Sequence, residues 1–236
     1  MPAPLPMPDY SRKSRITLSC GRSGSGKTTF CFLYLANALT PQPANDEPAT
    51  CVFIFDWKNE AEERFGIPAV TTLHGLESSL ADRLVIFNPH SMFPGDQRVK
   101  TPEDDWALND EKMAFRFFCR WVFEVCQRGP GRKIIYLDEL KQFATRQYLP
   151  PELNRIFRMG RTEGLELLTS TQFPNDYHLD LRGSVTEWVC FSVMDPTQLE
   201  AVRPYMPNAD RISALPDGSF IARNVNSGGE ICGKVF

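Results

Sequence analysis

A short glycine-rich segment near the N-terminus restricts the fold of this chain more than any other feature. Residues 21–28 read Gly-Arg-Ser-Gly-Ser-Gly-Lys-Thr and match the Walker A pattern G-x-x-x-x-G-K-[ST] at every fixed position. An apolar run at 15–20 precedes the segment, and residues 27–39 follow it with helical periodicity. A strand, a glycine-rich turn and a helix in this order are typical of a phosphate-binding loop, which we predict here.

Each residue type in this loop has a physical reason to be there. Glycines allow successive backbone N–H groups to turn inward around phosphates, and the start of the helix adds its positive dipole end. Lys27 would place a charge on the β- and γ-phosphates, and Thr28 would offer its hydroxyl to Mg²⁺. We therefore predict ATP and Mg²⁺ as cofactors. The predicted nucleotide-binding residues are Gly21, Arg22, Ser23, Gly24, Ser25, Gly26, Lys27, Thr28 and Thr29.

A second motif is an apolar strand at 133–138 that ends in two acids, the Walker B form. Asp138, at the carboxyl end of the strand, would hold Mg²⁺ through its water shell. Glu139 would orient and polarise the attacking water. A hydrolase requires such a residue and a small-molecule kinase does not, so the motif favours hydrolysis.

Strands alternate with helices along most of the chain, which predicts a three-layer α/β domain with a mainly parallel central sheet. The strands are expected at 15–20, 51–56, 84–87, 133–138, 165–170 and 188–193, with a closing C-terminal β-hairpin at 219–224 and 230–235. The stretch between Lys27 and Asp138 has room for two further strands, which fits a RecA-like P-loop NTPase with the acidic strand beside the P-loop strand. We predict a flexible proline-rich arm at 1–14 and a single P-loop ATPase domain at 15–236.

Composition excludes several other classes of protein. With 42% hydrophobic and 23% charged residues, the chain is neither disordered nor a collagen-like rod nor a coiled coil. No apolar stretch approaches the ~20 residues that cross a bilayer, so no membrane-spanning segment is expected. The first residues lack the apolar core of a secretory signal.

Another predicted strand ends in a glutamine. Its last residues, 167–172, read Leu-Leu-Thr-Ser-Thr-Gln, and the glutamine is Gln172. A glutamine at this place can contact both the γ-phosphate and the water and so sense hydrolysis. Taken alone, it is equally well a strand end that meets solvent.

The motifs together, GRSGSGKT, FDWKNE, YLDE and GRTEGLELLTSTQFP, resemble the FtsK–HerA superfamily of DNA-pumping ATPases. The compact chain and the STQFP form resemble the genome-packaging ATPases of tailless double-jelly-roll dsDNA viruses. The resemblance covers 15–193, and its specific parts are the Asp-x-Lys-x-Glu and Gln-x-Pro strand ends. It implies that Asp56, Lys58 and Glu60 form the second-strand motif and that Gln172 is the sensor.

The resemblance also implies an arginine that enters the active site of a neighbouring subunit, and Arg161 matches its position. Such a cation stabilises charge that develops on the γ-phosphate. Arg155 and Arg158 are rivals, and each arginine alternatively lies on a solvated helix face. A residue acting in trans requires a closed ring, and the superfamily implies a homohexamer.

The net charge of −3 excludes an overall basic field, so any DNA contact must be local. Loops after core strands would face the channel of a ring. The candidate cations are Lys141, Arg146 and Arg182, with Arg98 and Lys100 as weaker ones. The arm, with Arg12, Lys13 and Arg15, either docks a capsid or is disordered.

These observations give the expectation of an ATP hydrolase that translocates double-stranded DNA, packaging a viral genome into a preformed capsid. The expected catalytic residues are Lys27, Glu139, Arg161 and Gln172, and the expected metal ligands are Thr28 and Asp138. The implied partners are double-stranded DNA, copies of the same chain, and capsid or portal vertex proteins, in the host cytoplasm and the virion. A cellular or plasmid DNA translocase, a P-loop small-molecule phosphotransferase and a nucleotide-gated scaffold remain as alternatives.

Overall fold

The computed structural model contains an eight-stranded sheet with helices on both faces. It describes residues 15–40, 50–89, 110–127, 131–160 and 163–236. The strands are β1 (Ile16–Cys20), β2 (Cys51–Phe55), β3 (Leu84–Phe87), β4 (Lys133–Leu137), β5 (Leu165–Thr171), β6 (Glu187–Cys190), β7 (Ser219–Asn224) and β8 (Glu230–Lys234). The α-helices are α1 (Lys27–Leu39), α2 (Ala61–Phe65), α3 (Leu73–Ser78), α4 (Asp110–Cys126), α5 (Pro151–Met159), α6 (Leu179–Ser184), α7 (Pro196–Val202) and α8 (Ala209–Ile212).

The strands lie in the order β3-β2-β4-β5-β1-β6-β7-β8. The first six of these are parallel to one another, and β7 and β8 add an antiparallel hairpin at one edge. Strands β3, β4 and β5 are buried along their whole length, as parallel strands covered on both faces must be. The prediction of a mainly parallel α/β sheet with a closing hairpin is confirmed.

Alternate residues of the central strands enter two separate cores. Phe53, Phe55 and Ile135 pack on one side with α4 and α5, whereas Val52 and Ile54 pack on the other side with α1. This alternation gives each strand two apolar faces, and the helices cover both. Three layers result, as the alternation of elements predicts.

The position of the acidic strand differs from the prediction. Strand β5 lies between β1 and β4, and its Leu167 is paired with Ile16 on one side and Ile135 on the other. The expectation that the acidic strand lies beside the P-loop strand was therefore wrong. The reason is that apolar runs identify strands without specifying which strands pair, and β5 pairs with both β1 and β4. Gln172, at its end, consequently comes between the phosphate loop and the acids.

Other differences concern the boundaries of elements. Strand β6 ends at Cys190 instead of Val193, because the next residues turn away to support the phosphate loop. The helices α3, α6 and α8 were not predicted, since none exceeds six residues and periodicity is weak over that length. Within the described ranges, no helix has the length and apolar character needed to cross a membrane. The arm at 1–14 lies outside the described residues, and the single-domain boundary stays a prediction.

Candidate nucleotide-binding site

The predicted motifs meet at one end of the sheet. Parallel strands present their carboxyl ends at the same edge, so the segments that follow β1, β2, β4 and β5 become neighbours. These segments contain the glycine-rich loop, the Asp-x-Lys-x-Glu turn, the acidic pair and the glutamine. Clefts at this edge are where open α/β sheets bind ligands.

The glycine-rich loop is held mainly by its backbone. Gly21 N donates to Thr171 O at 3.3 Å and Arg22 N donates to Ser192 O at 2.8 Å, which ties the loop to the ends of β5 and β6. At its far side, Gly218 N donates to Ser25 O at 3.0 Å. The loop is therefore fixed in shape before any ligand arrives.

Glycine is required at positions 24 and 26 for the path of the backbone. Gly24 has φ 74° and Gly26 has φ 109°, in the region that side chains rarely adopt. A Cβ on Gly26 would also lie 2.8 Å from Val235 Cγ2 and 3.1 Å from Phe191 Cε1. The loop is thus packed from outside by the end of the C-terminal hairpin.

Lys27 begins α1 and is nearly buried, with 5% of its surface exposed. Its Nζ donates to Arg22 O at 2.8 Å, so the side chain folds back over the loop. Burial lowers the pKa of this lysine, and the carboxylates of Glu139 and Asp138 act in the opposite direction. An ammonium held above the loop in this way can act as a counterion for phosphate.

Asp138 directly follows β4 and is 7% exposed. One carboxylate oxygen accepts a hydrogen bond from Ser170 Oγ, and the other lies 2.7 Å from Lys58 Nζ. Trp57 Nε1 donates to the backbone carbonyl of Asp138 at 3.3 Å. The carboxylate is therefore oriented by neighbours on both sides.

Glu139 adopts the left-handed conformation, with φ 43° and ψ 50°. A residue other than glycine meets a cost of about 1 kcal/mol there, and such residues concentrate at functional sites. Its Oε1 accepts a hydrogen bond from Gln172 Nε2 at 3.3 Å. The structure thus brings the predicted water-orienting acid and the predicted sensor glutamine into direct contact.

The three residues of the Asp-x-Lys-x-Glu turn have separate positions. Asp56 accepts hydrogen bonds from the backbone N–H groups of Glu60 and Ala61, both at 2.9 Å, and so orders the start of α2. Lys58 reaches across to Asp138. Burial raises the pKa of Glu60, and the nearby Lys58 ammonium opposes part of this rise. Asp56 therefore has a structural role, whereas Lys58 belongs to the site.

The residues present fit a magnesium–nucleoside triphosphate unit. The glycines leave a cradle without side chains, and the Oγ of Ser25 inside the loop is buried without a hydrogen-bond partner. A phosphate oxygen would satisfy a hydroxyl of this kind. Thr28, in the first turn of α1, and Asp138 carry oxygen atoms of the kind that Mg²⁺ prefers as ligands. The roles assigned to these residues and to Ser23 and Thr29 stay predictions.

The arginines predicted to act in trans are only partly described. Arg161 lies outside the described residues. Arg155 stacks its guanidinium 4.4 Å from the ring centre of Phe123, and Arg158 donates to Asn154 Oδ1 at 3.1 Å. Both rivals therefore have contacts within their own subunit, and the choice among the three stays open.

The candidate DNA contacts fall into different environments. Lys141 Nζ lies 2.5 Å from Asp176 Oδ2 and 4.1 Å from the ring centre of Phe173. The side chain of Arg146 is exposed. Arg182 lies in α6 and is only 8% exposed, so its interpretation as a surface loop cation was wrong. The chain turns into a helix there and packs it on the core. Arg98 and Lys100 lie outside the described residues.

Arg15 is not part of a free arm. Its Nε lies 2.5 Å from Glu187 Oε2, and this ion pair is nearly buried. Arg12 and Lys13 lie outside the described residues.

Sequence reasoning missed the residues that support the site. Ser170 Oγ donates a hydrogen bond to the carboxylate of Asp138. Asp217 Oδ1 lies 2.6 Å from the guanidinium of Arg22 in the phosphate loop. The run of polar residues at the carboxyl end of β5, Thr169 to Thr171, could have indicated the role of Ser170. No local pattern marks Asp217, because its partner is 195 residues away in sequence.

Comparison with known proteins gives structural matches only. No protein-family model matches the sequence, and no curated protein matches it. The genome packaging NTPase B204 from Sulfolobus turreted icosahedral virus 2, solved in complex with AMP, superimposes with a TM-score of 0.67 at 17% identity, covering 94% of this chain and 98% of that chain. The DNA-packaging ATPase B204 from Sulfolobus turreted icosahedral virus gives a TM-score of 0.67 at 19% identity with the same coverage.

A bacterial protein shares the fold as one part of a larger chain. The cytoplasmic domain of the type VII secretion ATPase EccC from Thermomonospora curvata matches with a TM-score of 0.55 at 18% identity, covering 94% of this chain and 25% of that chain. Identities at this level establish the fold alone. The predicted resemblance is confirmed at that level: this chain has the three-layer P-loop fold found in viral genome-packaging ATPases.

Proposed function

We propose that this protein is an ATP hydrolase of the genome-packaging kind. The observation that carries the proposal is the convergence of Lys27, Asp138, Glu139 and Gln172 at one edge of the sheet. Lys27 reaches back over the phosphate loop, and Gln172 bonds Glu139 directly. A phosphate cradle beside an oriented acid is the arrangement that hydrolysis of a terminal phosphate requires.

The residues divide the chemistry among them. The loop N–H groups and Lys27 would bind the phosphates, and Thr28 and Asp138 would hold Mg²⁺, which when bound neutralises phosphate charge. Glu139 would orient the water and accept its proton. Gln172, hydrogen-bonded to Glu139 at 3.3 Å, would couple the state of the water to the end of β5.

We further propose that hydrolysis drives the movement of double-stranded DNA into a viral capsid. Support comes from the fold shared with B204 across 94% of this chain and from the motif order along the sequence. Lys141 and Arg146 follow the acidic strand, and the proposal assigns them to contact with the DNA backbone. A few cations per subunit suffice when a ring multiplies them.

A ring of identical subunits, with Arg161 completing the site of a neighbour, belongs to the same proposal. We also propose that the ring is a hexamer and that residues 15–236 form a single ATPase domain. The proposed partner is a capsid or portal vertex protein, and the proposed place of action is the host cytoplasm. A heterologous interface would supply each site with one arginine in trans.

Steady-state ATP hydrolysis tests the proposal when measured with and without linear double-stranded DNA over a range of protein concentrations. We expect turnover to rise with DNA, to steepen with protein concentration and to vanish in Lys27→Ala. Lys234→Ala, in the exposed closing hairpin, is the matched control. Turnover indifferent to both DNA and concentration would overturn the motor and favour a small-molecule phosphotransferase.

A further inference from the structure

Lys58 contacts both acids of the candidate site. Its Nζ lies 2.7 Å from Asp138 Oδ2 and 3.8 Å from Glu139 Oε1. The other oxygen of Asp138 accepts a hydrogen bond from Ser170 Oγ. Both oxygens of the carboxylate predicted to face the metal are thus already engaged by groups of the protein.

The turn that presents Lys58 is fixed on both sides. The carboxylate of Asp56 accepts hydrogen bonds from two backbone N–H groups at the start of α2. Asn59, next to Lys58, has a positive φ of 60°. Trp57 Nε1 donates to Asp138 O at 3.3 Å, and the Lys58 ammonium lies 5.6 Å from the Trp57 ring centre. The direction of the lysine toward Asp138 is therefore built into the fold.

This arrangement resolves an electrostatic problem in the site. Two adjacent carboxylates repel each other, and an opposite charge within a few ångström offsets that repulsion. A divalent cation that approaches Asp138 competes with the Lys58 ammonium for the same carboxylate oxygen.

We propose that Lys58 is a positioning residue that holds Asp138 and Glu139 in the nucleotide-free site and keeps divalent cations off Asp138 until a nucleotide binds. The inference rests on the proposed nucleotide function of this site. A triphosphate brings new negative charge to the same edge and offsets the loss of the ion pair. Metal binding thereby becomes dependent on nucleotide, and a free cation does not occupy the site alone.

Mn²⁺ binding to the nucleotide-free protein, followed by electron paramagnetic resonance, tests the inference directly. We expect Lys58→Met to bind Mn²⁺ at least tenfold more tightly than the wild type, and Lys58→Arg, which keeps the charge, to stay as weak as the wild type. The gain should disappear in Lys58→Met combined with Asp138→Asn. Affinity within twofold of the wild type in Lys58→Met, or a gain that survives loss of Asp138, overturns the proposal.

Lys234→Met is the matched control, because it removes a positive charge from the exposed strand β8, outside the candidate site. We expect less than a twofold change in Mn²⁺ affinity. A gain equal to that of Lys58→Met would assign the effect to net charge and overturn the specific role of Lys58. If Lys58→Met does not fold, Lys58→Gln, which keeps a donor without a charge, is measured in its place.

A second measurement separates this inference from the proposed function. Binding of a non-hydrolysable ATP analogue to the wild type, with Lys27→Ala as the negative control, tests the nucleotide site itself. If the analogue binds, it should raise Mn²⁺ affinity far more in the wild type than in Lys58→Met. Equal increases would overturn the role of Lys58 and leave the nucleotide site intact, whereas failure of the analogue to bind would overturn the proposed function.

Discussion

The two halves of the candidate site are held together in different ways. The phosphate loop is tied to its surroundings by backbone hydrogen bonds to Thr171, Ser192 and Gly218. The acidic edge is tied by side chains, with Lys58 bound to Asp138 and Gln172 bound to Glu139. The loop should therefore respond to changes in backbone shape, and the acidic edge to changes in charge that leave the shape intact.

The largest effect is expected for Glu139→Gln. The amide has nearly the same shape as the acid but cannot accept a proton from water. A general base contributes about 10²–10⁴-fold to rate, so we expect kcat to fall by about 10³-fold while nucleotide affinity stays unchanged. Steady-state hydrolysis at saturating ATP and analogue binding measure the two quantities. A variant that keeps full turnover would show that the acidic edge does not act through its charge.

Gly26→Ala tests the opposite property of the phosphate loop. The left-handed φ of 109° and a contact of 2.8 Å with Val235 both oppose a Cβ. We expect the free energy of unfolding to fall by about 2 kcal/mol, as measured by urea denaturation, and nucleotide binding to be lost. Gly183→Ala is the control, because a Cβ there meets no atom within 4 Å. Equal stability of the two variants would contradict a shape-determined loop.

Asp56→Ala removes the two hydrogen bonds that begin α2 and present Lys58. Loss of a helix cap destabilises proteins by about 0.5–2 kcal/mol, and we expect a fall in this range by thermal or urea unfolding. The exposed Asp82 supplies the control variant Asp82→Ala. An unchanged unfolding midpoint in Asp56→Ala would mean that the turn is held by other contacts.

Asp217→Asn should have the smallest effect. Its ion pair with Arg22 spans 2.6 Å, but both side chains are about half exposed, at 46% and 51%. Exposed pairs contribute up to about 1 kcal/mol and are screened by salt, so we expect a loss below about 0.5 kcal/mol that vanishes at high ionic strength. A loss above about 1.5 kcal/mol in urea unfolding would exceed that range and show that side chains also hold the loop.

The parts of the site that were predictable are contiguous in sequence. Residues 21–28 and the acidic pair after β4 each occupy one short segment, so pattern alone locates them. The contact between Lys58 and Asp138 joins residues 80 apart, and the order of the strands decides whether they meet. That order was wrong in the prediction because hydrophobic runs show which segments form strands but not which strands pair.

The C-terminal hairpin also sets when the phosphate loop can become complete. Arg22 and Asp217 are 195 residues apart, and the bond from Gly218 N to Ser25 O spans almost the same length of chain. Contacts between segments this distant form late, and during synthesis the N-terminal segments emerge first. Until these distant residues have been made, the phosphate loop of a nascent chain lacks the support of Gly218 and Val235. Firm nucleotide binding should therefore be acquired only after residues 217–235 have been made.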